Sequence, residues 1–383
     1  MPRKPEGQSN FPDSTGLYLH VPFCPHICSF CPYHKLPYDA EQVHEYMLLL
    51  QREWELVGSH SFTSLYIGGG TPSFALGALE DMLQLLRPAI AGEIALETHP
   101  LDATVPKLHA MRDMGVNYLS LGVQSFQDRM LGIFGRNHDA RQNRKALQKV
   151  LGAGFAYVDV DLVFAPDVET FEEAYRDVEE ALDWGPSQLS VYPMMRFQKS
   201  GMGRSPNPVK EEIRWFEHFE ELAASKGYTR NSLWTFSNQP TRAPYSSVSR
   251  SFFLGLGLSS ASFLPGEFRV NTFSLDNYAR QLRAGTLPVG KRVALGAWKS
   301  ALYQAFWMLY ANRWQPGELR ANFPGAKGLV WGLHRWLCLM AYLRKQPDGT
   351  WVLSPRGKAR LHRVEEWLTY RFIDPLWKEM EGF

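Results

Sequence analysis

The chain is short of cysteine. Four cysteines in 383 residues are too few to frame a chain of this length with disulfides. It also has no apolar run near the ~20 residues that cross a bilayer. The opening stretch, MPRKPEGQSNFPDSTG, lacks the apolar centre of a signal peptide, so the expectation is a cytoplasmic protein. Excess charge is missing too. Lys+Arg 41 against Asp+Glu 39 leaves a net charge of +2, which gives no electrostatic case for a nucleic-acid partner. No solenoid-type repeat and no low-complexity segment is present. What remains is an ordinary globular composition, 45% hydrophobic and 21% charged, long enough for one large domain and a smaller one.

Short apolar runs alternate with helical patterns over the first half. Strands are predicted at 17–21, 64–70, 93–98, 118–124, 157–165 and 188–194. Helices are predicted between them, at 41–58, from Ala78, near 104–114, from Ala140 and from Thr170. Six βα units with buried-type strands predict an α/β fold, a partial (β/α)6 TIM-type barrel. In such a barrel the functional residues gather at the strand C-termini. The rhythm breaks after about residue 200. GMGRSPNP reads as a polar loop, GYTRNSLWTFS and RSFFLGLGLSSASF as extended segments, and the chain from about 285 as mostly helical. GTWVLSPRGKARL reads as a turn, a strand and a helix start, which makes the C-terminal domain winged-helix-like. The expected divisions are an N-terminal extension over 1–16, the barrel over 17–200, a strand-rich extension over 201–284 and the C-terminal domain over 285–383. Eight of the twelve tryptophans lie between Trp298 and Trp377. Most are expected to fill a core.

Three of the cysteines crowd into HVPFCPHICSFCPYHK as Cys24-x3-Cys28-x2-Cys31. Thiolates at this spacing on one loop can face one metal centre. A structural zinc needs four ligands, and His20, His26 or His34 could supply the last. A [4Fe–4S] cluster held by three cysteines keeps one iron open to a small molecule. Spacing alone leaves both open. Cys338, in GLHRWLCLMAY, reads as a small buried hydrophobe.

The Cys-x3-Cys-x2-Cys run resembles the signature of the radical S-adenosylmethionine (SAM) enzymes. The resemblance implies that Cys24, Cys28 and Cys31 hold a [4Fe–4S] cluster whose open iron chelates SAM. Reduction then cleaves SAM to methionine and a 5′-deoxyadenosyl radical. Phe30, before the third cysteine, is expected near the adenine. An electron donor such as flavodoxin or ferredoxin and a small-molecule substrate are the implied partners. LYLHVPFC, YIGGGTPS, EIALETHP, LSLGVQSF, GRNH and VDLVF, in this order, resemble the subgroup of oxygen-independent coproporphyrinogen III oxidase and the heme chaperones.

That subgroup implies the remaining site residues. Tyr18, Gly69, Gly70, Thr71 and Glu97 would line one SAM, and Gln124, Arg136 and Asp161 a second. The types suit the task. Glycines let backbone approach a ligand, a guanidinium fork matches a carboxylate, and a buried carboxylate such as Asp161 needs a partner. His20 reads either as a cluster neighbour or as a strand histidine. The sequence also departs from the subgroup. Tyr33 stands where the oxidase has a further cysteine, 23 residues precede Cys24 where the oxidase has a longer segment, and Ala165-Pro166-Asp167-Val168 replaces its Gly-Leu-Pro-Gly. The stretch APYSSVSRSFFLGLG lacks the histidine of the chaperone's heme motif. By elimination, the expected reaction is a class C-type methyl transfer to an sp2 carbon of a planar apolar substrate (aromatic, quinone or tetrapyrrole), which the aromatic C-terminal domain would suit. The alternatives are a coproporphyrinogen oxidase-like reaction and heme carriage without catalysis.

Overall fold

In the computed structural model the chain is described over residues 11–58, 60–198, 200, 208–239 and 250–381. Most of the loop expected at 201–208 and most of the 1–16 extension lie outside the described residues. In chain order the elements are β1 (Thr15–Val21), the short pair β2 (Phe23–Cys24) and β3 (Leu36–Pro37), α1 (Ala40–Val57), β4 (Leu65–Gly69), α2 (Leu76–Leu86), β5 (Ile94–Thr98), α3 (Val105–Asp113), β6 (Tyr118–Gln124), α4 (Asp128–Ile133), α5 (Ala140–Gly152), β7 (Tyr157–Phe164), α6 (Phe171–Asp183) and β8 (Gln188–Pro193). After these come α7 (Val209–Ser225), β9 (Thr229–Arg230), β10 (Thr235–Ser237), β11 (Phe252–Leu256), β12 (Ala261–Leu264), β13 (Glu267–Asn271), α8 (Leu275–Arg283) and β14 (Val289–Ala294). The C-terminal elements are α9 (Ala297–Tyr310), α10 (Pro316–Asn322), α11 (Lys327–Leu339), β15 (Leu343–Lys345), β16 (Trp351–Leu353), α12 (Pro355–Leu368), a π-helical turn (Thr369–Ile373) and α13 (Asp374–Glu381).

The six predicted strands form the parallel run β1-β4-β5-β6-β7-β8, a partial (β/α)6 barrel. The sheet is longer than the sequence pattern shows. β11 adds a seventh parallel strand beside β1. Antiparallel β12, β13 and β14 extend that edge, and β10 and β9 extend the other. Periodicity finds each strand but not its neighbour, so the pairing of residue 15 with residue 252 could not be read. β15, β16 and α12 make a hairpin and helix of winged-helix type.

Each strand sends one face against the helices. Leu17, Leu19, Ile67, Leu96, Leu119, Leu121, Val160 and Leu189 are buried there in one continuous core, which supplies most of the stabilising burial. Capping boxes start the helices of the later units. Asp139 and Gln142 close the N-terminus of α5, and Thr170 and Glu173 that of α6. The opposite, concave face carries the half-buried residues Tyr18, Tyr66, Glu97, Asp161 and Tyr192.

The tryptophans depart from expectation. Trp314 is buried, but Trp298, Trp331, Trp336 and Trp367 are 49–62% exposed. They lie on the outside of the helices rather than in a core. Trp377 is in ring contact with the cysteine loop, through Tyr33.

Candidate cluster and cofactor site

Cys24 ends β2, just beyond the C-terminus of β1, and Cys28 and Cys31 follow in the loop that β3 closes. The loop is tied down. Leu36 N–H donates to Pro22 O at 2.8 Å and Tyr38 N–H to Cys24 O at 2.9 Å. Lys35 Nζ donates to Cys31 O at 2.5 Å. Burial pushes the Cys24 thiol up to about 11, against the Thr71 hydroxyl, and the charges of Cys31 and Cys28 add to the rise. Thr71 Oγ1 lies 3.6 Å from Cys24 Sγ, and Arg136 Nη1 lies 3.6 Å from Cys28 Sγ. Two of the thiols therefore sit beside donors suited to thiolates. Among the described residues, no three His, Cys, Asp or Glu converge tightly enough for a single ion. Cluster thiolates ligate separate irons and stand farther apart than the ligands of one zinc.

Two of the three histidines that could complete a Cys3His zinc, His20 and His26, have other partners. His20 has Tyr18 Oη 2.9 Å from Nδ1 and His34 O 3.2 Å from Nε2. Burial lowers its pKa to about 3. It is a strand histidine. His26 Nε2 meets Gly135 O at 2.7 Å. Cys338 is half-buried on α11, its sulfur 3.9 Å from His334 Nδ1.

Gly68, Gly69 and Gly70 pass between the cysteine loop and Glu97 with no room for side chains. A Cβ at Gly68 would stand 2.7 Å from Glu97 Oε1, and one at Gly70 would stand 2.5 Å from Phe23 O. Gly69 has φ +118°, which L side chains rarely adopt. Its N–H donates to Glu97 Oε2 at 3.1 Å, and Tyr66 Oη donates to Glu97 Oε1 at 2.7 Å. Thr71 N–H donates to Phe23 O at 2.8 Å, which joins the glycine turn to the strand before Cys24.

Glu97 and Asp161 belong to a row that crosses the concave face. Tyr18 stacks on Tyr66 with ring centroids 6.1 Å apart. Tyr66 bonds Glu97, Ser120 Oγ donates to Asp161 Oδ2 at 2.5 Å, and Tyr192 lies beyond Asp161. Burial raises Glu97, and it raises Asp161 strongly, with Asp159 and Glu97 adding to the effect. These are desolvated acids that keep some accessible surface, the condition of groups lining a concavity. Asp161 sits inside β7 rather than at its end.

Gln124 ends β6 with φ +70°, a strained setting for a non-glycine residue of a kind that recurs at functional sites. Arg136 Nη2 donates to Gly122 O at 2.5 Å, which brings it against the strand that Gln124 ends, and among the described residues its Nε is buried with no partner. Phe30 packs against Phe134, centroids 5.4 Å apart, in a small separate cluster with Met130 and Met194. The candidates thus fall into two groups on one rim: Tyr18, Cys24, Gly69, Gly70, Thr71 and Glu97, and beside them Cys28, Gln124, Arg136 and Asp161. Sequence reasoning missed Tyr66, Ser120 and Tyr192. They lie on predicted strands, but the register that sets Tyr66 beside Tyr18 and Ser120 beside Glu97 leaves no local signal.

Six parallel βα units with three cysteines beyond the first strand define a class, and the comparisons bear on it directly. Residues 18–181 match the family model of the radical SAM superfamily, so the chain carries a radical SAM domain, whose cofactors are a [4Fe–4S] cluster and SAM. Within that class the relatives are specific. The chain is 26% identical over 294 residues to the heme chaperone HemW of Lactococcus lactis, covering 72% of this chain and 75% of that one. It is 24% identical over 307 residues to the oxygen-independent coproporphyrinogen III oxidase of Pseudomonas aeruginosa, covering 71% and 66%. The solved coproporphyrinogen III oxidase of Escherichia coli superposes with a TM-score of 0.76 over 93% of this chain and 90% of that one, at 18% identity, a likeness of fold. The chain is thus similar, along most of its length, to the heme chaperones and the oxygen-independent coproporphyrinogen III oxidases. Among the described residues, no helix is long and apolar enough to cross a membrane.

The residues fit the cofactors on the structure's own terms. Three thiols on one loop, a cradle that a Cβ would fill, an Arg136 Nε buried without a partner among the described residues and two desolvated acids share the concave face and its rim. A ligand with one carboxylate and two cationic groups answers each of them.

Proposed function

We propose that this chain is a radical SAM enzyme that removes hydrogen from a tetrapyrrole without a central metal, in the manner of the oxygen-independent coproporphyrinogen oxidases. Cys24, Cys28 and Cys31 would hold the cluster. Gly69, Gly70, Thr71 and Glu97 would receive the amino-acid end and ribose of SAM, with Tyr18 behind them and Phe30 toward the adenine. Arg136 Nε would take a carboxylate. Asp161 and Gln124 would complete a polar wall that has room to serve a second SAM. When bound and reduced, the cluster supplies the electron that opens the sulfonium of SAM, giving a primary carbon radical able to abstract hydrogen. An external one-electron donor of flavodoxin or ferredoxin type belongs to the same proposal. The chain's own residues orient the cofactor and exclude water.

The observation that carries this reading is the acid- and tyrosine-lined row facing the same end of the barrel as the cysteine loop. Methyl transfer, reached by elimination, gives way, because the relatives are named for coproporphyrinogen oxidation and heme carriage instead. Between those two, heme carriage asks for an axial ligand, and His20, on the row's own strand, has both nitrogens engaged. Of the stretch 243–257, where the histidine of the heme motif is absent from the sequence, residues 243–249 lie outside the described residues.

The test is anaerobic turnover with SAM, a low-potential reductant and coproporphyrinogen III. The expected products are 5′-deoxyadenosine and carbon dioxide from the propionates. S-adenosylhomocysteine with a methylated macrocycle would restore methyl transfer. A Soret shift with heme and no turnover would favour carriage.

A further inference from the structure

The near-neutral total of the chain hides an uneven distribution of charge. Residues 297–345, from α9 to β15, hold seven Lys and Arg and one acid, Glu318. The rest of the chain, with 34 Lys and Arg against 38 acids, is net negative. Glu318 is occupied within the protein. Its Oε2 lies 3.3 Å from Arg313 Nη1, and its Oε1 accepts from Ser251 Oγ at 2.7 Å. Among the described residues, Lys299, Lys327, Arg335, Arg344 and Lys345 form no ion pair.

Helix α11 displays part of this charge among apolar side chains. Its sequence, KGLVWGLHRWLCL, contains no acid, and Val330 and Leu337 face the core. On the opposite side Lys327, Trp331, Arg335 and Leu339 follow one another at helical spacing, with Gly328, Gly332 and Trp336 in the next row. All seven are exposed, Leu339 by 75%. Nothing in the protein covers this face, since a Cβ at Gly328 or Gly332 would meet nothing within 4 Å. The Arg335 guanidinium lies 5.5 Å from the centre of the Trp331 ring, a cation held against an aromatic face. α9 carries the surface further. Trp298 Nε1 donates to Gly325 O at 3.0 Å, in the turn before α11, and Lys299 and Leu302 are exposed beside it.

Two tryptophans and a leucine on one open helix face exceed the scattered apolar side chains of an ordinary surface. The chemistry narrows what covers them. A second copy of the chain would set the same cations against each other. A nucleic acid would pair with the cations and leave Leu339 in water. A bilayer with anionic headgroups serves every group. Tryptophan rings settle at the headgroup level, the leucine enters the acyl region, and Lys and Arg reach back to the phosphates.

We propose that the outer face of α11, extended by Trp298 of α9, is a docking surface for an anionic lipid bilayer and holds the protein peripherally at a membrane. The inference is independent of the tetrapyrrole reading, and its failure leaves that reading untouched.

The test is flotation of the full-length reconstituted protein under argon, with vesicles of phosphatidylcholine mixed with phosphatidylglycerol and with vesicles of phosphatidylcholine alone. Wild type is expected to float with the mixed vesicles, to be released as salt is raised, and to stay behind with the neutral ones. Lys327→Gln and Arg335→Gln should each weaken binding about fivefold, the effect of one cation near a charged bilayer. Trp331→Ser combined with Trp336→Ser and Leu339→Ser should weaken it about tenfold or more. Iron content and 5′-deoxyadenosine formation without vesicles should match wild type in every variant, which separates a lost surface from a lost fold. Flotation with neither vesicle, equal flotation with both, or full flotation of the substituted variants overturns the proposal. Binding of a DNA duplex through the same residues, with no flotation, overturns it in favour of a nucleic-acid surface.

Discussion

Gly68 shows how little slack the site has. Alanine there would press its methyl against the Glu97 carboxylate, which also holds Tyr66 and Gly69 N–H. Gly68→Ala is expected to weaken SAM binding roughly tenfold, the scale of one displaced charge-assisted hydrogen bond. Isothermal titration of reconstituted protein checks this, and an unchanged affinity would detach Glu97 from the cofactor. The buried acids set a second expectation. Glu169, after β7, is 7% exposed, accepts from Ala165 N–H at 2.9 Å and is pushed by burial to about 8. Folded protein keeps this proton up to about pH 8, while the unfolded chain releases it near the ordinary value of 4.5. Stability therefore falls as pH rises from about 4.5 to about 8. Glu365 pulls the same way. Urea unfolding at pH 5.5 and pH 8.5 should show the fall in wild type and a smaller one in Glu169→Gln; identical slopes would contradict it. At this scale the cysteines and glycines were legible because their spacing is the signal. Tyr66 and Ser120 were not. Strand register sets them beside Tyr18 and Glu97, and no local pattern marks a register.

At the scale of elements, one carboxylate ties four of them together. Glu53 on α1 accepts from Gly257 N–H at 2.7 Å, Asn271 Nδ2 at 2.7 Å and Tyr278 Oη at 2.5 Å. It thereby fixes α1 to the turn after β11, to β13 and to α8. Glu53→Ala would leave three buried donors without an acceptor, a loss of about 3 kcal/mol or more. Chemical denaturation should show a lower midpoint at unchanged m-value, and a change under 1 kcal/mol would mean that water replaces the carboxylate. The βα units were legible because buried parallel strands read as continuous apolar runs and the helices between them as amphipathic. The strand predicted at 118–124 is β6 to the residue. The joining of β11 to β1 was hidden, because more than two hundred residues separate partners whose pairing leaves no local pattern.

The whole molecule is a barrel wall closed over by its own C-terminal helices. Trp377 bridges Tyr33 and Phe197. Asp374 Oδ1 accepts from Gln198 N–H at 3.0 Å, and Tyr370 Oη accepts from Arg196 N–H at 3.0 Å, so the last helix is moored to the loop after β8. Trp377→Ala should open the roof over the cysteine loop. The expected outcome is faster loss of the cluster's visible absorbance in air, by several-fold, with unchanged iron content under argon. An unchanged rate would place the access route elsewhere. A C-terminal domain rich in aromatics was legible as a segment of its own. That most of its exposed tryptophans face away from the barrel was not, since composition carries no direction. The account stands on the three thiols and the cofactor beside them, and the measurement that tests it most directly is 5′-deoxyadenosine formed from SAM by anoxically reconstituted, reduced protein. Wild type and Cys338→Ser should form it, and Cys24→Ser, Cys28→Ser and Cys31→Ser should not. Product from any of those three variants, or none from wild type, would contradict the account.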